Sequence, residues 1–358
     1  MGAMTRQGGS DPPAGAVGLG SVWDEIVAVI ARVTGHAPQL LDQRPLAGGA
    51  SMETWALDLG LGPEGETREP LVLRRDMGTR MNPQALSRVE EFRLIERARA
   101  AGVRCPQPRF HSGERAGRQW FLMERCPGES VGRRVVRSPE LARVRTGLAY
   151  TMGRELGRIH RIPVDPAVAF LPRPAEGQSP AAWALESTRV TLDALQRHNP
   201  VWEYAWRWLH RRAPPDDGVR VVVHGDFRVG NLLITPTELS AVIDWEFAHV
   251  GDPHEDLAWP TLRDWRFEHD HLPVGGVGTL DRFLAGYRDE GGAAVDLPRM
   301  RWWALLGNLR WSVTCHVQAE RHLSGLDRSV ELASLGRKSA EIEWEIVHLL
   351  DQEESLPP

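Results

Sequence analysis

A chain of 358 residues is longer than one minimal hydrophobic core requires and suits two domains. With 42% hydrophobic and 25% charged residues it has the make-up of a globular protein, neither fibrous nor disordered as a whole. A net charge of -5 supplies no cationic field, no apolar run is long enough to span a bilayer, and the start lacks a secretion-signal pattern, so a cytoplasmic protein with neither nucleic acid nor membrane as partner is expected.

In chain order, residues 1–20 are rich in Gly, Pro, Ser and Ala and read as a disordered leader. Trp23, Ile26, Val27, Ile30 and Val33 recur at helical spacing after Ser21. A Gly-rich turn, Leu46 to Ser51, precedes strand-like patches at Trp55 to Leu59 and Leu71 to Arg75. Asn82-Pro83 opens a helix that Gly102 closes, and strands are expected at Pro108 to Ser112 and Gln119 to Glu124. Pro127-Gly128 breaks the pattern. Helices are then expected at Glu140 to Arg161, Ala181 to His198, Val201 to Arg212, Pro298 to His322 and Arg328 to Leu350, with one β insertion from Val219 to Asp244. The order describes an α+β chain: a small β-rich lobe with one main helix over 21–125, and a larger, mainly helical lobe over 126–354.

Two rare residue types narrow the chemistry. Cys105, Cys126 and Cys315 are widely spaced and form no Cys-x-x-Cys pair, which argues against structural zinc and a disulfide framework. Lysine occurs once, at Lys338, outside any Gly-x-x-x-x-Gly-Lys-Ser/Thr pattern. A nucleotide site here is therefore not a P-loop.

The densest chemistry lies in Val221-Val222-Val223-His224-Gly225-Asp226-Phe227-Arg228-Val229-Gly230-Asn231, followed by Ile243-Asp244-Trp245-Glu246 and Gly251-Asp252-Pro253-His254-Glu255-Asp256-Leu257. A β-branched run delivers Asp226 to a loop at a strand end, where catalytic groups are commonly placed. Leu232 to Ile234 and Ala241 to Ile243 read as hairpin arms, and pairing of Ile234 with Ala241 sets Asn231 opposite Asp244. Their oxygens suit Mg²⁺, leaving Asp226 to take a proton from a substrate hydroxyl, which are parts that phosphoryl transfer needs. Asp252-Pro253 is explained by helix capping alone, so Asp252 and Asp256 are read as supporting residues. His224 is read as orienting the loop and Trp245 as packing.

This ordered set resembles the aminoglycoside-phosphotransferase and choline-kinase superfamily, with its His-Gly-Asp and Asn, then Asp-Trp, then Gly-Asp-Pro and Asp-Leu-Ala. Protein kinases carry His-Arg-Asp and Asp-Phe-Gly instead, so a small-molecule acceptor is implied. The resemblance implies a bilobal protein-kinase-like fold, ATP and Mg²⁺ as cofactors, Asp226 as the base, and Asn231 and Asp244 as metal ligands. It further implies a nucleotide loop at Gly48, Gly49, Ala50 and Ser51, and a phosphate-facing Arg74. Arg74 and Arg75 point to opposite strand faces, and Arg75 is expected to be solvated. Glu91, at the border of an apolar helix face, is expected to pair with Arg74, and Glu90 to join a surface pair with arginine. Phe121 to Arg125 resembles the segment joining the lobes, whose backbone would bond adenine; Met123 and Arg125 belong to it, although Met123 suits the core equally.

Gly307 to Trp311, Ser329 to Ala333 and Gly336-Arg337 resemble a bacterial branch related to the kinase-like portion of some acyl-CoA dehydrogenases. That suggests a partly apolar hydroxylated metabolite or hydroxyacyl compound as substrate. Acidic residues barely outnumber arginines between Glu255 and Arg328, whereas a polycationic aminoglycoside calls for a clear acidic excess. Trp302, Trp303, Trp311 and Trp344 are expected in the core. An aminoglycoside O-phosphotransferase is thus an alternative, as are a metal-dependent phosphohydrolase built on His224, Asp226, Asp244, His249 and His254, and an inactive nucleotide-binding scaffold.

Overall fold

A computed structural model of the chain describes residues 19–46, 52–76, 85–114, 118–326 and 329–355. Gly48, Gly49, Ala50 and Ser51, Asn82-Pro83 and nearly all of the expected leader lie outside these residues. The described residues form two compact units. The first takes the described residues within 19–46, 52–76, 87–92, 107–114 and 118–125, and the second takes the remainder of the described residues. Residues 93–106, which fall within the 21–125 stretch, thereby group with the second unit.

In the first unit, helix α1 (Ser21–Thr34) is stopped by Gly35, whose φ of 83° suits a residue without Cβ. Strands β1 (Gln39–Pro45), β2 (Met52–Leu61), β3 (Thr67–Asp76), β4 (Pro108–His111) and β5 (Trp120–Glu124) form an antiparallel sheet in the order β1-β2-β3-β5-β4. Alternation along the strands puts Leu57, Leu59, Leu71, Leu73, Trp120 and Leu122 in one cluster with Trp23, Ile26 and Ile30 of α1. Each such side chain, fully buried, contributes about 1.5–3 kcal/mol. Strand β1 escapes the periodicity because its burial does not alternate.

Helix α2 (Arg88–Ala100) starts where Ser87 and Glu90 bond reciprocally, Ser87 N–H to Glu90 Oε2 at 2.7 Å and Glu90 N–H to Ser87 Oγ at 3.2 Å. This capping box gives Glu90 a role other than the expected pairing with arginine.

The second unit holds α3 (Gly132–Arg137), α4 (Ala142–His160), α5 (Pro180–Ala194), α6 (Pro200–Arg211), β6 (Val221–Val223), β7 (Leu232–Ile234), β8 (Leu239–Val242), β9 (His249–Gly251), α7 (Pro253–Ala258), α8 (Leu280–Asp289), α9 (Leu297–Leu323) and α10 (Val330–Glu354). Ser179-Pro180, Asn199-Pro200 and Asp252-Pro253 each start a helix with a side-chain cap followed by proline at the first helical position. Helices α4 and α8 pack backbone to backbone: a Cβ on Gly153 would lie 1.9 Å from the Phe283 carbonyl oxygen, and one on Gly286 2.0 Å from that of Tyr150.

Trp302 and Trp303 are buried as expected, but Trp344 is exposed, with the Arg263 guanidinium 5.2 Å from its ring centre. No described helix is long and apolar enough to cross a membrane.

Candidate active site

Strand β6 pairs with β9 and ends at Val223, leaving His224-Gly225-Asp226 in the loop beyond. Gly225 has a φ of 81°, and a Cβ there would meet the Phe247 carbonyl oxygen at 2.4 Å, so the turn admits only glycine without strain. Asp256, fully buried on α7, holds the loop from below. Its Oδ2 accepts the His224 N–H at 2.6 Å and its Oδ1 accepts the Gly225 N–H at 3.0 Å. His160 of α4 places Nε2 3.3 Å from the same Oδ2, while its Nδ1 meets the Tyr287 hydroxyl of α8 at 2.8 Å.

His224 is wholly buried, and burial pushes its pKa below the usual histidine value. Its neutral ring donates from Nε2 to the Ile243 carbonyl at 3.2 Å and accepts the Asp226 N–H on Nδ1 at 3.3 Å. Both nitrogens are thus committed to shaping the loop.

The Asp226 carboxylate receives donors from three side chains. Arg228 Nε lies 3.0 Å from Oδ1 and 3.3 Å from Oδ2, Trp259 Nε1 lies 2.7 Å from Oδ1, and Asn231 Nδ2 lies 2.6 Å from Oδ2. These three donors fix the orientation of the carboxylate in the loop. Arg228 also lies over Trp265, 4.7 Å from the ring centre. Rings of Trp259, Trp265 and Trp311 follow one another at 5.7 and 4.9 Å.

Asn231 Nδ2 additionally donates to the Asp226 carbonyl at 2.8 Å, so the amide faces two acceptors and its orientation is fixed. The side-chain oxygen is left as the atom able to meet a cation. The hairpin register differs from the expected one by a residue: Leu233 pairs with Ala241 and Leu232 with Val242, and the Ile243 N–H bonds the Asn231 carbonyl at 3.0 Å. A shift between Leu233 and Ile234 brings Ile234 opposite Leu239. Asp244, one residue on, has a φ of 70°, a left-handed conformation that aspartate tolerates better than most residues. Two oxygen-bearing side chains fit Mg²⁺, which takes few protein ligands and completes its shell with water and phosphate.

Asp252 caps α7 through the His254 N–H at 2.9 Å and also receives Arg299 Nε at 2.6 Å and Trp303 Nε1 at 3.0 Å from α9. It anchors α9 to α7 and bonds none of the Asp226 partners named above.

In the first unit, Arg74 Nη1 bonds Glu91 Oε1 at 2.7 Å, both side chains being buried, and Arg88 bonds the other oxygen of Glu91. Arg75 is not solvated as expected: its side chain is 13% exposed, with Nε 2.7 Å from Glu53 and Nη1 3.0 Å from the Leu19 carbonyl. Met123 is buried on β5 between Val72 and Pro108. The Glu124 and Arg125 N–H groups bond the Gln107 and Pro70 carbonyls at 2.8 and 3.1 Å, so neither is open to an adenine. Arg125 turns its side chain to Asp58 at 2.7 Å. The hydrogen bond from Arg68, with Arg125 beside it, holds Asp58 below the usual carboxylate range.

A family model of the phosphotransferase enzyme family matches residues 42–303, nearly the whole span from β1 to α9. The chain belongs to that family. It is 26% identical over 248 residues to acyl-CoA dehydrogenase family member 11 of Gallus gallus, covering 68% of the phosphotransferase and 30% of that relative. The chain thus spans about a third of that relative's length, and the expected kinship with a portion of such dehydrogenases holds.

Among solved structures, a Ralstonia eutropha protein assigned as an aminoglycoside phosphotransferase aligns with a TM-score of 0.66 at 19% identity, covering 90% of the phosphotransferase and 97% of the other chain. Spectinomycin phosphotransferase, solved with ADP and spectinomycin, aligns with a TM-score of 0.59 at 14% identity over 90% and 98%. The protein-kinase-like fold of these neighbours is the fold of this enzyme.

Sequence reasoning did not find Arg228 or Trp259. The signal for Trp259 was its place three residues after Asp256, directly following the helix opened by Asp252-Pro253 and continuing its backbone, which puts both on one helical face.

Proposed function

We propose that the enzyme transfers the γ-phosphate of ATP to a hydroxyl of a small, partly apolar metabolite or hydroxyacyl compound in the cytoplasm. The observation that carries this reading is the Asp226 carboxylate, fixed by Arg228, Asn231 and Trp259 at the end of a loop that Asp256 grips. Asp226 orients the acceptor hydroxyl and takes its proton as the oxygen attacks phosphorus. The Asn231 oxygen and Asp244 would hold Mg²⁺, which when bound neutralises phosphate charge. Arg74, oriented by Glu91, would face the nucleotide phosphates, with Gly48, Gly49, Ala50 and Ser51 as the loop over them. His224, Asp252 and Asp256 shape the loop and its supports.

The apolar character of the acceptor is supported by the tryptophans that continue from Asp226. It is also supported by the state of acids in the 255–328 stretch: Asp264 bonds Lys338 Nζ and Trp311 Nε1, Asp270 bonds Arg263, Glu268 bonds Arg137, and Glu255 bonds Arg310 and His249. Carboxylates already neutralised offer little to a polycationic aminoglycoside. The phosphohydrolase alternative loses its ligands in a similar way, since His249 is committed to Glu255 and His254 to Asp252 and the Asp296 N–H.

ADP release from ATP with Mg²⁺ or Mn²⁺, measured across a library of hydroxyl compounds, tests the reading. Partly apolar alcohols and hydroxyacyl compounds are expected to turn over ahead of aminoglycosides. With the acceptor so identified, Asp226→Ala is expected to lower turnover about 10²–10⁴-fold while sparing ATP affinity, and Asp244→Ala to weaken metal-nucleotide binding. Wild-type turnover in both variants would refute the site assignment.

A further inference from the structure

Of the three side chains on the Asp226 carboxylate, Arg228 and Asn231 belong to the same loop, two and five residues away. Trp259 does not. It follows α7 directly and continues its helical backbone with φ and ψ of -54° and -49°. Three residues after Asp256, it stands on the same face of that turn. One helical turn therefore grips the loop twice, Asp256 through the backbone of His224 and Gly225 and Trp259 through the side chain of Asp226. A half-buried indole N–H needs one acceptor, and here it takes a carboxylate oxygen.

A carboxylate oxygen has two lone pairs. On Oδ1 both are used, by Trp259 at 2.7 Å and Arg228 at 3.0 Å. On Oδ2, Asn231 at 2.6 Å takes one, and the other meets only the long 3.3 Å arm of Arg228. We propose that Trp259 is a positioning residue for phosphoryl transfer: by saturating Oδ1 it makes Oδ2 the oxygen that meets the acceptor hydroxyl, while its ring forms the start of the acceptor's apolar wall. This rests on Asp226 being the proton acceptor. The acceptor's O–H proton passes to Oδ2, the acceptor oxygen bonds the γ-phosphorus of ATP, and the bridging P–O bond breaks with its electron pair leaving on ADP.

The full-length wild type, Trp259→Phe, Trp259→His and Asp226→Asn enzymes are compared by ADP release from Mg-ATP, with water alone and with 4-phenylbutan-1-ol as an apolar alcohol probe. Trp259→Phe keeps an aromatic ring and loses the donor; kcat is expected to fall about 10- to 100-fold, a part of what loss of the whole group costs, with KM for ATP within about twofold. Trp259→His restores a ring N–H and is expected to recover kcat to within about fivefold of wild type while raising KM for the alcohol. Trp259→Phe at wild-type kcat beside an inactive Asp226→Asn overturns the inference and leaves the kinase reading standing. Asp226→Asn at wild-type kcat overturns both. If Trp259→Phe does not fold, Trp259→His decides, and a loss as deep as that of Asp226→Asn overturns the proposal. If neither acceptor turns over, a crystal structure of Trp259→Phe decides: an Asp226 carboxylate rotated away from Asn231 supports the inference, and an unmoved one overturns it.

Discussion

Replacing Asp256 by asparagine changes one atom of a side chain that is fully buried beneath the His224-Gly225-Asp226 loop. Its two oxygens accept three hydrogen bonds, from the His224 N–H at 2.6 Å, the Gly225 N–H at 3.0 Å and His160 Nε2 at 3.3 Å. An amide NH₂ in place of Oδ1 faces the Gly225 N–H donor to donor; in place of Oδ2 it opposes two donors. The less costly orientation loses the Gly225 bond and the charge assistance on the others, roughly 1.5–3 kcal/mol. Asp256→Ala removes all three acceptor interactions and leaves two backbone N–H groups buried, for about 3–6 kcal/mol. Urea unfolding monitored for the second unit measures both, and amide exchange at Gly225 is expected to accelerate in both variants. Turnover is expected to fall in Asp256→Asn at temperatures where the protein is folded, because the Asp226 backbone is no longer fixed. Asp256→Asn within about 0.5 kcal/mol of wild type, with unchanged exchange at Gly225, would refute the view that the carboxylate carries the loop.

The Glu255 carboxyl, despite burial that would raise it, is brought down to about 2 by the charges and hydrogen bonds of His249 and Arg310. Burial would lower His249, but Glu255 raises it above the ordinary 6.5. The Glu255 contribution to stability is present above the unfolded carboxyl value of about 4.5 and is lost as pH falls toward 2; the His249 contribution is present below about 6.5 and is lost as pH rises through the raised value. Urea midpoints should therefore fall on both sides of pH 4.5–6.5 through this pair, and Glu255→Gln should flatten both limbs; an unaltered profile in that variant would count against the pairing. In the first unit, Glu91→Gln is expected to cost about 3 kcal/mol, since it withdraws a buried negative charge from Arg74 and Arg88. Urea unfolding followed in the β-sheet reads this, and a change under 1 kcal/mol would place the balancing charge elsewhere.

The legible parts of the chain were those fixed by short-range chemistry. The cap-then-proline pair Asp252-Pro253 located the start of α7, helical pattern placed the starts of α5 and α6 to within a residue, and β6 delivers Asp226 to its loop as a β-branched run should. The hairpin register was missed by one residue because it depends on a shift between Leu233 and Ile234 that no turn residue announces. Glu90 was read as a surface ion pair because the expected helix start at Asn82-Pro83 put it well inside the helix; with the cap at Ser87 it stands at the third position, where a glutamate closes a capping box. Arg75 was given to solvent on strand alternation alone, which does not show that Glu53 lies opposite it on β2. Strand β9 and helix α8 are short and are defined mainly by their partners, β6 and α4. Trp259 and Arg299 reach Asp226 and Asp252 across 33 and 47 residues, distances at which local pattern carries no information.

The pair formed by Arg74 and Glu91 has a practical side. Guanidinium does not lose its proton in any solution that a folded protein survives, so the cation opposite Glu91 persists at alkaline pH where an ammonium group would fade. It is also inert to acylating reagents. With Arg74 as the proposed phosphate-facing cation and the chain's one lysine, Lys338, held by Asp264, a lysine-directed nucleotide probe would find no lysine at the proposed phosphate site and would pass this enzyme over. Its absence from a profile made with such a probe would say nothing of whether it was present or active.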